Sequence, residues 1–122
     1  MGDADVFKPL FWLGATRKDM RSFPMPVRET IGYALYLAQK GGKHRDAKPL
    51  KGFHGAGVLE IVDDHDGDTY RAVYTVKLAG AVYVLHAFQK KSKTGIATHK
   101  HVMDLVKERL QQASQHYAEL DP

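Results

Sequence analysis

The sequence predicts an α+β fold: a small antiparallel sheet flanked by two helices on its N-terminal side and one at its C-terminal end. Three observations predict it. Three strand-like runs follow one another between Val58 and Lys90, joined by glycine-bearing turns. Apolar residues at helical spacing precede them (Val27, Ile31, Ala34, Leu35, Ala38) and follow them (Val102, Leu105, Val106, Leu110, Ala113). The chain has 122 residues, 43% hydrophobic and 26% charged, which suits one domain, 1–122, with a real core.

Taken in order, Phe7 to Gly14 reads as a first strand. Thr16 with Asp19 three residues later reads as a capping box, so a short helix is expected to run to about Ser22. Phe23-Pro24-Met25-Pro26 breaks that helix, and Pro26 suits the first turn of the next. Gly41-Gly42 ends the second helix. His44 to Gly57 reads as a basic loop. Val58 to Asp63, Thr69 to Leu78 and Ala81 to Lys90 read as strands, with Asp66-Gly67 and Ala79-Gly80 as hairpin turns. A last helix is expected over about Thr98 to Tyr117.

Composition narrows the function classes. The net charge of +4 is compatible with a polyanionic partner. Cysteine is absent, which rules out a disulfide framework and thiolate metal sites. The seven histidines show no metal-ligand spacing. The acidic run Asp63-Asp64-His65-Asp66-Gly67-Asp68 lacks the glycine and glutamate offsets of a calcium loop and reads as turn chemistry. No apolar stretch is long enough to span a membrane, and Met1 to Asp5 does not read as a signal peptide, so a cytoplasmic location is expected.

Two-residue turns at Asp66-Gly67 and Ala79-Gly80 would put Val62, Arg71 and Phe88 in one cross-strand row, and Glu60, Val73 and His86 in the next. One sheet face would then collect Leu59, Ile61, Tyr70, Ala72, Tyr74, Tyr83, Leu85 and Ala87, an apolar surface for the helices to cover. Tyr74, Tyr83 and Leu85 are therefore expected against the helix of Ile31 and Leu35. The opposite face would carry Glu60, Arg71, His86 and Lys90 among valines, and would be either solvated or a site.

The order strand, two helices, three-stranded meander, and the runs Lys48-Pro49-Leu50-Lys51-Gly52-Phe53, Gly57-Val58-Leu59-Glu60, Tyr70-Arg71-Ala72-Val73-Tyr74 and Val84-Leu85-His86-Ala87-Phe88-Gln89-Lys90-Lys91-Ser92, resemble the RelE/HigB superfamily of bacterial toxins, in particular its phage-derived HigB-like branch. Phe11-Trp12 is a weaker echo of it. The resemblance implies the toxin of a type II toxin–antitoxin module. Such a protein is a metal-independent endoribonuclease that needs no cofactor and cuts mRNA, often on the ribosome. The implied partner is a cognate antitoxin, a small helix-turn-helix protein.

Cleavage by the ribose 2′-hydroxyl needs a base, cations for the phosphorane-like transition state, and an acid for the leaving 5′-oxygen. The resemblance places the first cation at Arg71 and the second at Lys90 or Lys91. It gives Lys48, Lys51, Lys93 and His99 to RNA phosphates. The tyrosine that the RelE branch uses soon after its strand-end cation has no counterpart, because no tyrosine lies between Tyr83 and Tyr117. His86 and His99 are the candidates for acid and base by their titration range. Each residue also has a plainer reading: Arg71 as an ion-pair partner of Glu60, His86 as a buried core histidine, His99 as a surface residue, and Lys90-Lys91-Lys93 as a solvated loop. The alternative to the enzyme is a non-catalytic module of the same fold that binds RNA or protein.

Overall fold

A computed structural model of the chain describes residues 7–53, 55, 57–90 and 96–120, with the backbone alone at 90 and 96–99. The elements are β1 (Leu10–Trp12), α1 (Thr16–Arg21), α2 (Met25–Gln39), β2 (Lys48–Pro49), β3 (Val58–His65), β4 (Asp68–Thr75), β5 (Val82–Lys90) and α3 (Ile96–Glu119). The α+β class and the order of strand, two helices, meander and terminal helix are those expected. The sheet has the order β1-β5-β4-β3-β2. The meander is antiparallel, whereas β1 lies parallel to β5, with Leu10, Phe11 and Trp12 opposite Val82, Tyr83 and Val84. The intervening helices provide the crossover that parallel neighbours need. The loop after α2 also contributes a strand: Lys48 and Pro49 pair with Glu60 and Leu59. Two residues leave no periodicity to read, and proline is at home on an edge strand.

Helix α1 does not use the expected capping box. Ala15 is its N-cap, and Thr16 is its first helical residue, fully buried with no hydrogen-bond partner for its hydroxyl among the described residues. The helix packs on β5, which turns Thr16 inward and away from the capping position. Helix α2 begins as expected, with proline in its first turn. It ends at Gly41, whose φ of 90° lets Gly42 N–H reach the Leu37 carbonyl at 2.8 Å. Its inner residues Val27, Ile31, Ala34, Leu35 and Ala38 are all buried.

The β3–β4 hairpin has the expected two-residue turn. His65 faces Asp68, and Asp66 and Gly67 take φ of 51° and 83°, the left-handed values a type I′ turn requires. The β4–β5 hairpin differs. Its first half keeps the expected register: Arg71 pairs with Phe88 and Val73 with His86. The next pair is Tyr74 with Val84, so Leu85 is an extra residue in a β-bulge. The link between the strands is correspondingly longer than two residues.

The bulge corrects the expected division of faces. Beyond it every side chain changes side. Val82 and Val84 join Ile31, Leu35, Ile61, Ala72 and Tyr74 in the core under α2. Tyr83 and Leu85 instead join Val58, Val73, Val106 and Ala113 in a second core under α3. Tyr74 packs on the α2 side as expected, while Tyr83 and Leu85 do not. The second sheet face is thus neither bare nor wholly polar: α3 covers one end of it and leaves the other end for charged groups. Trp12 is half-buried against the α2 core.

Candidate functional site

Backbone pairing builds the uncovered part of this face. One row runs Lys48, Glu60, Val73, His86 across β2, β3, β4 and β5, and the adjoining row runs Val62, Arg71, Phe88. Both expected rows are present, and β2 adds Lys48 to one of them. Paired residues share a face, so a carboxylate, a guanidinium, an imidazole and an ammonium stand on one rigid platform.

Arg71 Nη1 donates to Glu60 Oε2 at 2.6 Å, and the two side chains are only 25% and 19% exposed. The pair that the sequence suggested as the plain reading of Arg71 is therefore formed. Pairing does not exhaust the guanidinium, since its Nε is buried with no partner among the described residues. Charge-assisted bonds of this kind fix orientation as well as position.

His86 is half-buried and stacks on Phe88 with ring centroids 4.5 Å apart. Its pKa falls from the ordinary 6.5 to about 4, chiefly through burial and then through the Arg109 cation; Asp19 opposes the fall and His101 adds to it. Its Nδ1 is buried without a partner among the described residues. The imidazole is neutral at pH 7, so it is not a cationic proton donor, and its lowered basicity makes it a weak acceptor. Arg109 is itself held in place: its Nη1 donates to the carbonyl of the bulged Leu85 at 2.9 Å, and its guanidinium lies where a Cβ on Gly14 would collide with it.

The depressed His86 pKa has a thermodynamic consequence. The unfolded chain takes up this proton near pH 6.5 and the folded protein only near pH 4, so unfolding consumes protons between the two values. Stability is expected to be fully present above about pH 6.5 and to decline as the pH falls toward 4. His86→Gln should flatten this part of a denaturation profile. An unchanged slope would mean that the imidazole is as easily protonated in the folded protein as in water.

The other sequence-predicted residues fall as follows. Lys48 is exposed on β2, and Lys51 is exposed just beyond it. Lys90 ends β5, its backbone opposite Thr69. Lys91 and Lys93 lie outside the described residues, as does the side chain of His99, whose backbone belongs to the first turn of α3. The structure thus brings Arg71, Glu60, His86 and Lys48 onto one face. Sequence reasoning missed Asp19 and Arg109 as neighbours of His86. Arg109 left one signal, its helical spacing with Val102, Val106 and Ala113, which puts it on the face that packs on the sheet. Among the described residues no group of His, Asp and Glu is arranged to hold a metal ion, and no helix is long and apolar enough to cross a membrane.

Residues 18–111 match the model of a family described as phage-derived Gp49-like proteins (DUF891). The fold is similar to that of a mutant of the Escherichia coli toxin RelE in its free state, with TM-score 0.58 and 20% identity, covering 84% of this chain and 97% of that one. It is similar also to the isolated E. coli RelE toxin, with TM-score 0.52 and 20% identity, covering 80% and 98%. A third similar chain comes from the Mycobacterium tuberculosis RelBE2 toxin–antitoxin complex, with TM-score 0.46 and 19% identity, covering 70% and 93%. No curated protein sequence matches the chain. The family match spans most of the chain and the fold is similar to that of RelE, so the resemblance to the phage-derived, RelE/HigB-like branch holds: the chain belongs to the Gp49-like family and has the RelE toxin fold.

Proposed function

We propose that the chain is the toxin of a type II toxin–antitoxin module, a cytoplasmic endoribonuclease that cuts mRNA, free or on the ribosome. The observation that carries this reading is the Arg71 guanidinium, braced by Glu60 at 2.6 Å on a sheet face one row from His86. In the reaction the ribose 2′-oxygen attacks the adjacent phosphorus and gives its proton to a base on this face, His86 or Glu60. Arg71 neutralises charge on the phosphorane, and Lys90 with Lys91 supplies the second cation. The 5′-oxygen leaves with a proton from His99, the second imidazole candidate, and a 2′,3′-cyclic phosphate remains. Lys48, Lys51, Lys93 and His99 hold flanking phosphates. Each step is carried by the protein's own side chains, so cleavage is expected to survive EDTA.

The Glu60–Arg71 pair also favours a second reading. An arginine already satisfied by a carboxylate can serve a non-catalytic module that binds RNA or protein. One experiment separates the two. Induced expression in a bacterium should arrest growth and create new 5′ ends within transcripts. Co-expression of the neighbouring gene, expected to encode a small helix-turn-helix antitoxin, should restore growth and yield a co-purifying complex. Intact transcripts in arrested cells would decide for the binding module, and arrest that no neighbour relieves would remove the antitoxin from the reading.

A further inference from the structure

Helix α2 presents a second surface, on the other side of the sheet from Arg71. Its inner face is already filled by Val27, Ile31, Ala34, Leu35 and Ala38, so its outer rings have no part in the core. Tyr33 and Tyr36 are nevertheless 55% and 44% exposed, beside Phe7 at 51%. They form a continuous series of rings. His44 meets Tyr33 edge-on at 5.8 Å, Tyr33 lies nearly parallel to Tyr36 at 6.4 Å, and Tyr36 meets Phe7 at 5.7 Å. Exposed aromatic rings in contact with one another, with no part in the core, make this surface a candidate for an interaction.

The charge around the rings identifies the partner's chemistry. Lys40 Nζ sits 5.4 Å from the Tyr36 ring centroid, and Lys43 and Arg45 are exposed beside His44. The acidic groups nearby are Asp46, which faces Arg45 at 3.9 Å, and Asp63; both line a cleft of about 620 Å³ with Tyr33 and His44. Exposed Glu29 lies one turn before Tyr33. Lys40 lies over Tyr36 inside the ring series, and Lys43 and Arg45 flank His44 at one end of it, where Asp46 and Asp63 also lie. Flat faces flanked by cations suit a single-stranded polynucleotide: bases stack on the rings and phosphates meet the lysines. A plain apolar protein helix would find polar walls there, since Thr30, His44, Arg45, Asp46 and Asp63 line the cleft beside Tyr33. From His44 the chain leads through Arg45 to Lys48, which stands in the same row as Glu60 and His86. The ring surface and the Arg71 face are therefore connected around the β2–β3 edge.

We infer that the Phe7–Tyr36–Tyr33–His44 surface is an accessory site for single-stranded RNA, which stacks bases there and passes its strand around the β2–β3 edge toward Arg71. The substrate class rests on the proposed ribonuclease reading, but binding at the rings does not require cleavage. The test uses the full chain and a 2′-O-methylated, fluorescently labelled oligoribonucleotide of about 12 nucleotides, which stacks but cannot be cut. The Tyr33→Ala/Tyr36→Ala double variant should bind at least about 10-fold more weakly. Tyr33→Phe/Tyr36→Phe should bind as the parent does, because stacking needs the ring and not the hydroxyl. Lys40→Ala/Lys43→Ala should reduce the salt dependence of binding. Both tyrosines are exposed, so the variants are expected to fold, and thermal melting checks this.

Parental affinity in the folded alanine variant would overturn the site and leave the proposed cleavage standing. RNA binding through the rings by a parent that leaves transcripts intact would do the reverse. Parental RNA affinity together with loss of antitoxin co-purification in the alanine variant would overturn RNA in favour of a protein partner.

Discussion

Replacement of Arg71 by alanine is expected to lower RNA cleavage by about 10²–10³-fold, or ~3–4 kcal/mol of transition-state stabilisation, by analogy with the loss of one preorganised donor. The guanidinium is held before substrate arrives, by the 2.6 Å bond to Glu60 and by its place in the middle strand of the meander. Its loss also orphans a partly buried carboxylate, at about 1–3 kcal/mol of stability. Folding and chemistry must therefore be read separately. Glu60→Gln/Arg71→Ala removes the orphaned charge; it should recover melting temperature without recovering cleavage. The two sites are in contact, so additive behaviour is not expected. Substitution of Lys90 and Lys91 together should harm cleavage more than either alone, since each can replace the other. A folded Arg71→Ala protein that cuts transcripts and arrests growth as well as the parent would remove Arg71 from the mechanism.

The second large effect concerns stability. Tyr83→Ala is expected to cost about 3–5 kcal/mol, the range for emptying a large aromatic site in a core. Tyr83 is fully buried, stacks on Phe11 at 5.0 Å, and shares a 2.6 Å hydrogen bond with His116 Nδ1. Burial, with a smaller contribution from Tyr117, also raises its phenol pKa, so the hydroxyl stays protonated in the neutral range. The ring ties β1, β5 and the end of α3 together, where Tyr117 in turn accepts the Gly80 N–H at 2.9 Å. Loss of the ring should lower the melting temperature by more than about 10 °C. Tyr83→Phe keeps the packing and removes only the hydrogen bond, so about 1 kcal/mol is expected. A shift under about 2 °C in Tyr83→Ala would mean that α3 does not pack on this face as described.

Local pattern determined much of this protein. The α2 stripe, the proline in its first turn and the closing glycines follow from helical periodicity and cap chemistry, which act within a few residues. Asp66-Gly67 specifies its turn because two successive left-handed residues favour that pair. The pairs Glu60–Val73 and Val62–Arg71 follow from that turn and from period-two alternation, and they put Arg71 beside Glu60; His86 and Phe88 joined these rows through an expected two-residue turn at Ala79-Gly80, where the structure has a longer link and a bulge. The order of these elements, together with the runs at Lys48–Phe53, Gly57–Glu60, Tyr70–Tyr74 and Val84–Ser92, carries the family resemblance.

Tertiary structure decided the rest. A bulge at Leu85 leaves no composition signature, because the residue that is inserted is an ordinary strand former. Its effect is global all the same: Tyr83 and Leu85 cross to the α3 side, and α3 becomes the cover of a second core. The same bulge frees the carbonyl that Arg109 binds, and this sets the Arg109 charge near His86 and helps keep the imidazole neutral. Thr16 likewise carried a local capping signal that lost to packing against β5. Patterns of three or four residues report backbone preference and the burial of one face. They do not report which distant helix covers the other face, and the surroundings of His86 depend on that choice.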